Sequence, residues 1–183
     1  MDLVEEDREL LLDLAHRAVE ASAGSKPAPD APRDTSFELQ TGAGAFVTIR
    51  GPEGDLRGCI GAVVAHSPLV ETVIEMATAA ATRDPRFSPV SSEEAPRVKM
   101  EISVLSPLKE IKPDEIEIGK HGLMIMRNQQ SGLLLPQVAV EHSMSRDQFL
   151  AETCHKAGLA PDAWRDSQST IYGFTATVFG DEE

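Results

Sequence analysis

Cys59 is the residue with the clearest capacity for chemistry. It lies in Leu56-Arg57-Gly58-Cys59-Ile60-Gly61, with Gly58 before it, Gly61 after it and Arg57 two positions upstream. The thiolate rather than the thiol is the nucleophile, and a nearby cation brings an ordinary thiol, pKa ~8.5, toward reactive values. Glycines let another backbone or a ligand come close. Strand alternation puts Arg57 and Cys59 on one face. A thiolate nucleophile or redox thiol fits these residues. So does a small buried hydrophobe whose glycines serve packing, and the frequent burial of cysteine favours that second reading on the bare residues.

The other reactive side chains carry weaker signals. Asp84-Pro85-Arg86-Phe87 offers Arg86 as a ligand for an anionic group. Equally, Asp84 and Arg86 staple a turn while Phe87 packs beneath it. Cys154 falls on the apolar face of an expected helix, where burial is the natural role. The five histidines are His16, His66, His121, His142 and His155, and none stands at metal-ligand spacing from the cysteines. His121 follows Lys120 in an expected turn and reads as an exposed loop side chain. His142, near an expected helix start, is either a proton carrier or a capping-region residue. Glu101 interrupts an apolar strand and alternates away from Met100 and Ile102 toward solvent. The chain has no phosphate-binding glycine loop, dinucleotide fingerprint or serine-nucleophile elbow. No metal or other cofactor is expected.

These residues need elements to hold them. Leu11, Leu14, Ala15, Ala18 and Ala21 recur at helical spacing and predict a helix over 7–21. Residues 22–34, with Pro27, Pro29 and Pro32, read as a linker. Strands over 44–50 and 56–64, joined by Gly51-Pro52-Glu53-Gly54-Asp55, predict a hairpin. A helix is expected from Ser67 as N-cap and Pro68 as first residue, ending before Asp84-Pro85. Ser91 and Glu94 suit a capping box. Val98, Met100, Ile102 and Val104 alternate as a half-buried strand. Short strands follow over 122–126 and 132–135, with Asn128-Gln129-Gln130 turning between them. Ser145 and Gln148 form a second capping box for a helix that Gly158 ends. Pro161-Asp162-Ala163-Trp164 reads as one helical turn, and Ile171 to Phe179 as the last strand. Strands cluster without regular strand-helix alternation, so the fold class is α+β rather than doubly wound.

The chain has 183 residues, enough for one domain or one domain with a small insert. Its net charge of −13 disfavours both generic nucleic-acid binding and docking on anionic membranes. The N-terminus from Met1 to Asp7 is acidic and lacks a signal peptide's basic start and apolar run. No stretch approaches ~18 uninterrupted apolar residues. A cytoplasmic location with both thiols reduced is expected. Oligomeric state is not legible.

Leu56 to Gly61 resembles the signature of the AMMECR protein family. The resemblance continues through Asp84 to Phe87, Glu101 to Pro107, His121-Gly122-Leu123, Gly132 to Ala139 and Lys156 to Leu159. It spans nearly all of the chain after the linker. Ser143-Met144 departs from the Gly-Trp often found there in the family. The resemblance implies one domain over 1–183, α+β, mainly antiparallel sheet with packed helices. A larger part would come from both chain ends, with a smaller part inserted in the middle. Family members include protein A of the AmmeMemoRadiSam system, which implies company with a MEMO-type protein and a radical SAM enzyme. A catalytic Cys59 is what the resemblance suggests. The candidate substrate-binding residues are Arg57, Gly58, Gly61, Arg86 and His121, with Arg57 or Arg86 steering an anionic substrate because a cation stands beside a glycine-flanked thiol. A non-catalytic binding or adaptor protein for the same partners is the alternative.

Overall fold

The computed structural model describes residues 3–64 and 66–181. Met1 and Asp2, the start of the acidic N-terminus, lie outside that range. The fold is α+β, with two antiparallel sheets and helices packed on them. The chain forms two compact units, one of Met1–Leu105 with Thr177–Glu183 and one of Ser106–Ala176.

In the first unit the strand order is β2-β1-β3-β8. β1 (Ala45–Arg50) and β2 (Leu56–Ala62) make the expected hairpin, and β1 pairs on its other side with β3 (Lys99–Leu105). β8 is Ala176–Gly180. Helices α1 (Glu5–Ala23) and α3 (Leu69–Thr82) pack together, and α3 lies against the hairpin. Their apolar faces meet the sheet in a core that includes Leu11, Leu14, Val47, Ile49, Val73 and Ile102. α1 is two residues longer at each end than its apolar period predicts. Glu5, Glu6 and Asp7 suit the positive end of the helix dipole, and the Gly24 N–H closes the last turn on Glu20 O at 3.0 Å. The irregular stretch therefore runs from 24 to 36 rather than 22 to 34. A four-residue helix, α2 (Phe37–Gln40), follows it and is too short to show a helical period.

α3 starts one position later than expected. Pro68 is its cap, extended at ψ 148°, and no side chain caps the helix. The Leu69 N–H donates to Thr41 O at 3.0 Å, and Pro68 bridges to Gly42, so the chain here is held as strand before it can turn. The Ser91–Glu94 capping box is present, at 3.3 and 2.9 Å, ahead of the short turn Ala95–Arg97.

The second unit has the order β4-β7-β5-β6. β5 (Gly122–Arg127) and β6 (Gln130–Leu134) form a hairpin, and β7 (Thr170–Phe174) lies between β5 and β4 (Lys109–Glu110). α4 (Pro136–Glu141) and α5 (Arg146–Lys156) complete it, around a core of Ile116, Leu123, Ile125, Phe149 and Leu150. The Ser145–Gln148 box caps α5, and Gly158 takes φ +71° just beyond its end. The expected last strand over 171–179 is two strands, β7 and β8, in different sheets. Thr175 divides them, accepting the Ser106 N–H at 2.9 Å and donating its own N–H to Ser106 Oγ at 2.9 Å.

Among the described residues, no helix is long and apolar enough to cross a membrane.

Candidate functional site

β2 is an edge strand, so the outward N–H groups on that side need partners other than a strand. The C-terminal half of α3 packs on one face of β2, close enough that a Cβ at Gly58 would collide with the Ala80 carbonyl oxygen. Beyond α3, the Asp84 carboxylate reaches back to the edge and accepts the Cys59 N–H through Oδ2 at 2.9 Å. Asp84 is buried, with a side chain 2% exposed. Its oxygens also accept three donors from Arg86: the backbone N–H at 3.1 Å, Nε at 3.0 Å and Nη2 at 2.7 Å. The Arg86 guanidinium holds the Asp84 carboxyl far below the usual carboxylate range against the opposing effect of burial, and the Cys59 and Arg86 amides add to it. Asp84 in turn pushes Arg86 upward, with a smaller contribution from the Cys59 sulfur. The Arg86 side chain is 54% exposed and lies over the Phe87 ring at 5.3 Å.

The Cys59 side chain is half-buried, and its thiol is free. Sγ accepts a hydrogen bond from Thr48 Oγ1 at 3.3 Å. Thr48 stands opposite Cys59 because β2 carries a bulge. Arg50 pairs with Leu56 but Ile49 pairs with Gly58, leaving Arg57 as the extra residue. The bulge interrupts strict alternation between Arg57 and Cys59. Arg57 is taken up elsewhere: Nε and Nη2 bind the two Glu94 oxygens at 2.9 and 3.2 Å, and Nη1 donates to Ser88 O at 3.2 Å. Arg57 holds the Glu94 carboxyl down at about 2. It staples the 88–94 segment to β2. The guanidinium linked to the Cys59 backbone, through Asp84 Oδ2, is that of Arg86.

The two glycines of the motif answer to packing. Their missing side chains leave room for the Ala80 backbone at Gly58 and the Phe46 ring at Gly61. The close approach is therefore made by the protein itself, and no space for a ligand exists at either Cβ position. His121 belongs to the Ser106–Ala176 unit, where it is half-buried rather than exposed. Its Nδ1 accepts the Glu117 N–H at 3.0 Å. Lys120 binds Glu117 Oε1 at 2.7 Å and holds that carboxyl below its usual range. His142 caps the C-terminal end of α4 and is exposed. Cys154 is fully buried, and burial pushes its thiol up.

Sequence reasoning missed three participants: Thr48, Glu94 as the partner of Arg57, and Asp84 as the link to Cys59. Thr48 was hidden by register. Without the bulge, the pairing of Arg50 with Leu56 would have set Thr48 opposite Gly58. Among the described residues, no cluster of three or more His, Cys, Asp and Glu side chains is arranged to hold a metal ion.

The motif at the edge of β2 is matched by the rest of the chain. The AMMECR1 family model matches residues 12–179. This protein belongs to the AMMECR1 family. Protein TK0174 of Thermococcus kodakarensis is 45% identical, over 95% of this chain and 90% of that one. A protein of Aquifex aeolicus is 44% identical over 76% of this chain and 75% of its own. The crystal structure of the uncharacterised protein PH0010 from Pyrococcus horikoshii superposes with a TM-score of 0.88 at 43% identity. That match covers 95% of this chain and 91% of the other. The first two relatives share the chain's sequence, and PH0010 shares its fold as well.

Proposed function

We propose that this AMMECR1 protein works as a component of an AmmeMemoRadiSam-type system, alongside a MEMO-type protein and a radical SAM enzyme. Within it, Cys59 is the reactive group for an anionic, electrophilic substrate. The observation that carries this reading is one buried carboxylate that accepts both the backbone N–H of Cys59, whose thiol is half-buried, and the half-exposed Arg86 guanidinium. The thiol loses its proton to solvent, and the thiolate donates its electron pair to the electrophilic atom as the leaving group departs with the bonding pair. Arg86 attracts the substrate's negative charge. The Thr48 hydroxyl orients the sulfur lone pair.

Alkylation rates with iodoacetate and iodoacetamide test the reading, in a Cys154→Ala background. The two reagents differ in charge but share a leaving group. An opposite charge that stays largely in water contributes about 1 kcal/mol at short range. Iodoacetate should therefore gain roughly 3–5-fold over iodoacetamide relative to the same ratio for Arg86→Gln. Arg17→Gln, which removes an exposed arginine on α1, serves as the charge control and should keep the wild-type ratio. No labelling of folded protein, or identical ratios in wild type and Arg86→Gln, overturns the reading.

One observation favours the alternative of a binding or adaptor protein. The hydrogen-bond partner of Sγ is a hydroxyl, and no histidine or carboxylate accepts from the sulfur among the described residues. In that case Arg86→Gln would weaken capture of the two partner proteins and leave thiol reactivity unchanged.

A further inference from the structure

Asp84 does more than its turn requires. An Asx turn at Asp84-Pro85-Arg86 needs one side-chain oxygen on the Arg86 N–H, which Oδ1 supplies at 3.1 Å. Burying a full carboxylate for that alone would be costly. The second oxygen instead spans 25 positions of sequence to the Cys59 N–H. The same oxygen holds Arg86 Nη2 at 2.7 Å, while Oδ1 also takes Nε at 3.0 Å. One nearly inaccessible group thus fixes both the backbone that bears the thiol and the plane of the guanidinium. Nε and Nη2 face inward, and Nη1 has no hydrogen-bond partner among the described residues. The Phe87 ring beneath the guanidinium removes a further degree of freedom.

We infer that Asp84 is the positioning residue of this site, holding Arg86 beside Cys59 so that Nη1 addresses the negative group of the substrate. The inference rests on the proposed thiol chemistry and adds the substrate's recognition element: an anionic oxygen placed within hydrogen-bond reach of Nη1. Asp84 has the wrong charge to attract an anion itself. Its contribution is orientation, and orientation and charge predict opposite results.

Asp84→Asn separates them. The substitution keeps side-chain volume, removes one negative charge and breaks the fork between Arg86 and the carboxylate. If Asp84 acted only as a counter-charge, removing it would raise the iodoacetate preference of Cys59. As a positioning residue, its loss lowers the preference, by roughly 3–5-fold, to the level of Arg86→Gln. Circular dichroism melts accompany the rates, since a change in stability alone does not move the ratio of two reagents on one thiol. Arg86→Lys provides a second route should Asp84→Asn fold poorly. A lysine keeps the charge but cannot span two oxygens. Positioning predicts that Arg86→Lys loses most of the preference; pure charge predicts that it keeps all of it.

A ratio that is unchanged or raised in Asp84→Asn, or fully retained in Arg86→Lys, overturns the inference. If Arg86→Gln lowers the ratio and Asp84→Asn does not, the thiol reading stands and only the role of Asp84 falls. If wild type and Arg86→Gln have equal ratios, both fall together.

Discussion

Gly58→Ala tests the packing of α3 on β2, the strand whose opposite face carries Cys59. The added Cβ would point at the carbonyl oxygen of Ala80 and come well inside 3.0 Å, a distance real Cβ atoms essentially never reach. The obstacle is backbone, so no rotamer change relieves it. Ordinary contact requires β2 and the end of α3 to part by roughly 1 Å. Overpacking of this kind costs about 1–3 kcal/mol. A further loss comes from stretching the 2.9 Å bond between the Cys59 N–H and Asp84, worth about 1 kcal/mol. The total of about 2–4 kcal/mol corresponds to a fall in Tm of roughly 9–17 °C for a unit near 110 residues. Gly61→Ala is the comparison: there the obstacle is the Phe46 ring, which is only half-buried and able to turn aside. Its cost should stay near 1 kcal/mol. Thermal melts by far-ultraviolet circular dichroism measure both variants. A Gly58→Ala protein within 1 kcal/mol of wild type, or less affected than Gly61→Ala, would refute the claim that α3 rests on this strand.

Two further outcomes follow from the same geometry. Glu94 has its carboxyl held down at about 2, against an ordinary value of 4.5, by Arg57. A depressed carboxyl stabilises the fold above its unfolded value and loses that contribution as pH falls from about 4.5 toward 2. Glu94 is 44% exposed, so solvent screening reduces the effect to about 1 kcal/mol. Glu94→Gln should therefore be about 1 kcal/mol less stable than wild type in urea titrations at pH 7 and equal to it near pH 2. In the β5–β6 turn, Asn128 adopts φ +57°, a region where glycine carries no side-chain penalty. Asn128→Gly should raise the unfolding free energy from urea titrations slightly, by a few tenths of a kcal/mol or less, and a loss above about 1 kcal/mol would contradict the turn geometry.

Much of the fold is legible in residue order alone. The hairpin, both capping boxes and the end of α3 before Asp84 all depend on local chemistry, such as proline's missing donor or a serine three residues before a glutamate. What escapes is set by contacts distant in sequence. Nothing between Gly173 and Ala176 signals a turn, yet the strand divides at Thr175 because its backbone groups bond to Ser106. α4 spans six residues, fewer than two helical turns, and follows an apolar run that reads as strand. At the site, Cys59 and Arg86 were visible by residue type. Their association was not, because it passes through Asp84, whose turn-forming role is the only one its neighbours announce. Arg57 misleads for a different reason: alternation assumes one residue per partner, and the bulge breaks that count.

The paired bonds between Ser106 and Thr175 have a consequence for the chain as a closed curve. β3 and β8 are neighbours in their sheet, with Met100 O accepting the Asp181 N–H at 3.0 Å at one end. At the other end, their continuations meet at Ser106 and Thr175. Topologically, the larger unit is closed by a hairpin whose turn has grown into a folded body with a pinned neck. Closure entropy grows only as the logarithm of loop length. The Ser106–Thr175 pair fixes where the two strands part, and lengthening the chain between those residues adds only this slowly growing closure cost.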